Sequence, residues 1–122
     1  MIMGSKVLVV DDDIDICGLI SIALKGKGLE VRTAENGNAG ISAFLEFQPD
    51  IVLLDHRLPD MTGNDVARKL KATPEGKAAC IITMTGTDAF GEEIDMALYS
   101  GSLKKPFKLA DMVQYVEQHM KK

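Results

Sequence analysis

Val7-Leu8-Val9-Val10 and Ile51-Val52-Leu53-Leu54 are apolar at every position. A strand with one wet face alternates apolar and polar side chains, whereas a strand covered on both faces reads as a continuous apolar run. The two runs therefore predict a parallel sheet buried between layers of helices. Two more runs fit beside them, Ile81-Ile82-Thr83-Met84 and a weaker one at residues 31–33, and a last short one is Leu103-Lys104. Helical spacing fills the gaps. Ile16, Leu19, Ile20, Ala23 and Leu24 make one apolar stripe, and Leu109, Met112, Val113, Val116 and Met120 make another. Shorter helices are marked by Ile41, Phe44 and Leu45, by Val66, Ala67 and Leu70, and by Ile94 and Leu98. Gly26-Lys27-Gly28, Glu35-Asn36-Gly37, Pro49 and Thr73-Pro74-Glu75-Gly76 fall between the segments as stop and turn signals. Strand then helix, five times over, is an α/β sandwich with right-handed crossovers.

A chain of 122 residues is one domain, able to bury roughly two-thirds of its unfolded surface. With 46% hydrophobic and 26% charged residues it has an ordinary globular composition. A net charge of −4 argues against a surface built for nucleic acid. No uncharged run exceeds ten residues, against the ~20 that a spanning helix needs, and residues 1–6 lack the build of a signal peptide. Cys17 and Cys80 show no metal-ligand spacing and read as small buried residues of a reducing, cytoplasmic setting.

In an open parallel sheet, ligands sit beyond the carboxyl ends of the strands. The first run is followed by Asp11-Asp12-Asp13, the third by Asp55, the fourth by Thr85-Gly86-Thr87, and the last by Lys105-Pro106-Phe107. Each has a bland reading alone: helix caps, a turn threonine, a stop signal. Together they gather carboxylates, a hydroxyl and an ammonium at one edge. Crowded carboxylates repel one another and suit a divalent cation. Without metal they should cost stability, and neutralising Asp12 is expected to relieve that cost. Asp13, third in the run, is a candidate N-cap.

Val9-Val10-Asp11-Asp12-Asp13, Asp55-His56-Arg57-Leu58-Pro59-Asp60-Met61-Thr62-Gly63, Thr85-Gly86 and Lys105-Pro106-Phe107 together resemble the receiver domain of two-component response regulators. The similarity runs from Lys6 to about His119, so the whole chain, 1–122, is expected to be one receiver. The resemblance implies a flavodoxin-like five-stranded sheet of order 2-1-3-4-5. It implies that Asp55 is the phosphoacceptor, and that Mg²⁺ is held directly by Asp12 and Asp55, by Asp11 through water, and by the backbone carbonyl of Arg57. By the same carry-over Lys105, the Thr85 hydroxyl, and the backbone of His56 and Gly86 contact the phosphoryl group. The implied partners are a sensor histidine kinase or a histidine phosphotransfer protein, then a downstream protein, with no direct binding of nucleic acid or membrane. Arg57 and Thr87 would tune the lifetime of the acyl phosphate.

Three features depart from the family pattern. The stretch from Thr85 to Lys105 is a couple of residues short, the turn before the fifth strand shrinks to Gly101-Ser102, and Ser102 stands where an aromatic is usual. Ser102 is therefore expected to take little part in switching, which points to an atypical output or, as an alternative, a phosphorylation-independent interaction module. Two enzyme motifs fail on context. Gly26-Lys27-Gly28 lies after a helix, not before one, and Ser102-Leu103-Lys104-Lys105 lacks the companions of a penicilloyl-serine enzyme. An aspartyl-phosphate phosphatase would carry a second Asp two residues after its nucleophile, where this chain has Arg57. No turnover on other substrates is expected.

Overall fold

The computed structural model describes residues 4–86 and 94–120. Five strands, β1 (Lys6–Val10), β2 (Glu30–Ala34), β3 (Ile51–Asp55), β4 (Cys80–Thr85) and β5 (Gly101–Lys104), form one sheet of order β2-β1-β3-β4-β5. Every pairing is parallel. The helices are α1 (Ile14–Lys25), α2 (Gly37–Phe47), α3 (Gly63–Lys71) and α4 (Leu109–Met120).

Strand side chains alternate between two cores because their period is two. Val7, Val9, Leu53, Ile82 and Met84 face α1 and α4, meeting Ile20, Leu24, Met112 and Val116. Leu8, Val10, Val52, Leu54 and Ile81 face α2 and α3, meeting Phe44, Val66, Ala67 and Leu70. Both faces being dry accounts for the unbroken apolar runs in β1 and β3. No helix among the described residues is long and apolar enough to cross a membrane.

Local signals explain most boundaries. Asp13 caps α1, its carboxylate accepting from the amides of Asp15 and Ile16. Asn36 caps α2 through the Ala39 amide. The turn that ends α1 places Gly28 at φ 86°, a conformation that favours glycine. Thr62 and Asp65 form a reciprocal capping box on α3.

Four expectations need correction. Leu19 is exposed, because Cys17, Ile20 and Leu24 take the buried line of α1. Leu45 is exposed too: α2 approaches the sheet on Gly40, whose missing side chain leaves room for Val10. The helix suggested by Ile94 and Leu98 is, among the described residues, a single 3-10 turn at Met96–Leu98. The Ser100 amide donates to the Ile81 carbonyl at 2.7 Å, and this pulls the chain back to the sheet at once. Cys17 is buried as expected, while Cys80 is only half-buried.

Candidate functional site

Parallel strands end at one edge, so β1, β3, β4 and β5 deliver Asp11, Asp55, Thr85 and Lys105 to the same edge of the sheet. A cleft there, of about 620 Å³, is lined by Asp11, Asp12, Asp55, His56, Arg57, Gly86 and Lys105, with an apolar wall from α1 and Phe107. Asp11 is fully buried, Asp55 is 9% exposed, and Asp12 is open to solvent. One carboxylate oxygen from each lies within 4.8 Å of the others. Three hard oxygen donors this close suit a divalent cation such as Mg²⁺.

The Lys105 ammonium donates to Asp11 Oδ2 at 2.6 Å and lies 3.5 Å from Asp55 Oδ1. Burial, then the neighbouring Asp11 charge, pushes the Asp55 carboxyl up to about 6, although Lys105 pulls the other way. Burial alone would lower Lys105. Its hydrogen bond and attraction to Asp11, with those to Asp55, outweigh that and raise it. Asp11 also accepts from the Asp13 amide at 2.9 Å, and its carbonyl receives the Cys17 thiol. Burial, then the Asp11 and Asp13 charges, pushes that thiol up to about 11, which makes it inert.

The loop from β3 to α3 is closed on itself. The Gly63 amide donates to the His56 carbonyl at 2.7 Å, Leu58 donates to Met61, and Arg57 pairs with Thr62 across an antiparallel bridge. Gly63 is required there: a Cβ would stand 2.7 Å from the Asp55 carbonyl oxygen and 3.0 Å from His56 Cα, both backbone atoms. Gly63→Ala must displace the segment carrying Asp55 and is expected to cost about 1–3 kcal/mol, read as a lower denaturant midpoint.

Of the residues singled out from sequence, Asp11, Asp12, Asp55, His56, Arg57, Gly86 and Lys105 line one cleft, and Thr85 ends the adjacent strand. Thr87 lies outside the described residues. Ser102 is exposed on β5 and is not among the residues lining the cleft; its amide donates to the Tyr115 hydroxyl at 3.0 Å. Tyr115, from α4, occupies the space that a side chain at Gly101 would need. Sequence reasoning missed two polar links. Tyr99 donates to Asn64 Oδ1 at 2.8 Å, tying the segment before β5 to the start of α3. Asp60 reaches α2, accepting from the amides of Gly37 and Asn38.

Residues 7–117 match the family model described as the response regulator receiver domain. The chain belongs to the receiver domains of two-component response regulators. This receiver is 32% identical over 123 residues to the DNA-binding response regulator MtrA of Mycobacterium tuberculosis, covering 98% of its own length and 52% of MtrA. It thus spans about half the length of the curated relatives it matches. Among solved structures, it superposes on the chemotaxis response regulator CheY4 of Vibrio cholerae with a TM-score of 0.87 at 26% identity, covering 97% and 100% of the two chains. The response regulator TrrA of Thermotoga maritima, solved in complex with Mg²⁺ and BeF, gives a TM-score of 0.83 at 28% identity, covering 95% and 99%.

Proposed function

We propose that this receiver takes a phosphoryl group onto the Asp55 carboxylate from the phosphohistidine of a sensor histidine kinase or histidine phosphotransfer protein, inside the cell. The observation that carries the reading is the Lys105 ammonium set between Asp11 and Asp55 at the carboxyl edge of the sheet. An Asp55 oxygen attacks phosphorus in line, the P–N bond breaks, and the imidazole nitrogen leaves with the electron pair. Positioning and charge neutralisation carry such a transfer. Mg²⁺, when bound, would neutralise charge on the transferring oxygens; Asp11, Asp12, Asp55 and the Arg57 carbonyl would hold it. With its carboxyl at about 6, Asp55 is mostly ionised at neutral pH and is a competent nucleophile. Lys105 then pairs with a phosphoryl oxygen as a point charge, and the Thr85 hydroxyl with the His56 and Gly86 amides takes the others. Arg57 and Thr87, each two residues past a residue of the site, set how water reaches the acyl phosphate. The chemistry is confined to the protein's own Asp55, with a downstream protein as the reader.

Incubation with Mg²⁺ and acetyl phosphate is expected to add one phosphoryl mass, mapped to the peptide holding Asp55 and prevented by EDTA. Labelling of Asp55→Asn at the wild-type rate on another residue overturns the assignment.

A further inference from the structure

We propose that Asp60 is a positioning residue for the phosphoacceptor loop, holding the loop's tip against the start of α2 so that the Arg57 carbonyl and His56 amide stay aimed at the cleft. The inference rests on the function proposed above. Backbone pairing closes the loop, at His56–Gly63, Arg57–Thr62 and Leu58–Met61, but these bonds join the loop only to itself. Asp60 joins it to α2. Its Oδ1 accepts from the Gly37 amide at 2.7 Å and its Oδ2 from the Asn38 amide at 2.9 Å. Two oxygens bonded at once fix the orientation of the carboxylate as well as its place.

The start of α2 is built to receive it. The helix's own cap, Asn36, takes only the third amide, that of Ala39, and leaves the first two to Asp60. The first turn of α2 has no acidic residue of its own, so the charge that suits its dipole comes from 23 residues away. Met61 fills the space where a Cβ at Gly37 would stand, which lets the loop sit directly on the helix. Further along, Gly40 seats the same helix on Val10, the residue before Asp11. One helix therefore touches both the strand end that delivers Asp11 and the loop that follows Asp55. The amides draw the Asp60 carboxyl below its usual range, that of Asn38 most and Gly37 next, so the contact persists throughout neutral pH.

The test separates positioning from plain helix capping by comparing Asp60→Ala with Asn36→Ala. Both remove a cap from α2, but only Asp60 touches the loop. Both variants are expected to melt a few degrees below wild type. In the metal-free protein, amide exchange at residues 56–58 is expected to accelerate in Asp60→Ala and to stay at the wild-type rate in Asn36→Ala. Calorimetric titration should show Mg²⁺ binding weakened about tenfold in Asp60→Ala, within twofold of wild type in Asn36→Ala, and intermediate in Asp60→Asn, which keeps one acceptor oxygen. Unchanged loop exchange in Asp60→Ala, or equal losses of Mg²⁺ affinity in both variants, overturns the inference. Should wild type bind no Mg²⁺ while the exchange difference persists, the proposed function fails and the positioning of the loop stands.

Discussion

Asp55→Asn is expected to melt roughly 10 °C above wild type at pH 8 without metal, and level with it at pH 4. Burial and the Asp11 charge lift the Asp55 carboxyl from 3.8 to about 6 in the folded protein. Between those values the native state keeps a proton that the unfolded chain has released, so stability falls as pH rises through that window. Above it the full cost is present, roughly 3 kcal/mol. Asparagine carries no charge to bury, and Lys105 keeps its 2.6 Å partner in Asp11. Millimolar Mg²⁺ should raise the melting temperature of wild type by linkage and that of the variant far less. A variant that melts below wild type at pH 8 with its fold intact would show that charge crowding is the wrong account of this cleft. The exposed Asp12 contributes least among the causes acting on Asp55, so its neutralisation should bring a smaller gain than its place in the acidic run suggests.

Lys105→Met should have the opposite sign and a comparable or larger size. Asp11 is fully buried, and Lys105 is its ion-pair partner among the described residues. Removing one member of a buried pair costs about 3–5 kcal/mol, because the remaining charge has neither water nor a counter-ion. At pH 8 without metal, we expect the melting temperature to fall by about 10 °C or more. Acidification to pH 5 should recover part of the loss by protonating Asp55, whose carboxyl no longer has the Lys105 charge to hold it down. Because Lys105 is raised above its ordinary 10.5, its own contribution is present throughout neutral pH and fades only in strong alkali. Lys104→Met, on the exposed side of the same strand, serves as the control and should change little. Equal melting of the two variants at pH 8 refutes this view of the pair.

Much of this was legible in the residues themselves. Runs apolar at every position in β1 and β3 demanded two covered faces, and the fold supplies them. A parallel sheet then forces strand ends together, which is why Asp11, Asp55 and Lys105 were legible as one site despite their separation. The strand order came only through the resemblance, since periodicity carries no record of neighbours. The helix suggested by Ile94 and Leu98 is, among the described residues, only a 3-10 turn, because those two residues offer a single helical repeat, too little to outweigh the return to the sheet at Ser100. Leu19 and Leu45 were misread because glycine and cysteine, weak signals in any apolar pattern, took the contact lines of α1 and α2. The Asp60 link left no trace in sequence: backbone amides are the same at every position, so no residue type announces which carboxylate will reach them.

The pairing of Asp11 with Lys105 closes a loop of 94 residues, so the site is whole only when the two ends of the chain have met. Synthesis runs from the amino end, so the carboxylate emerges early and its ammonium near the end. β1 must first gain β3 beside it, in register from Val7 opposite Ile51, before Asp11 has a wall to be buried against. The core facing α1 stays open until α4 brings Met112 and Val116. Non-local pairing of this kind makes folding slow relative to helical bundles. A nascent chain stalled before residue 105 lacks the ammonium that pairs with Asp11 in the folded protein. The docking of β5 is what brings Lys105 to Asp11 and Asp55, so the site is complete only with that strand in place.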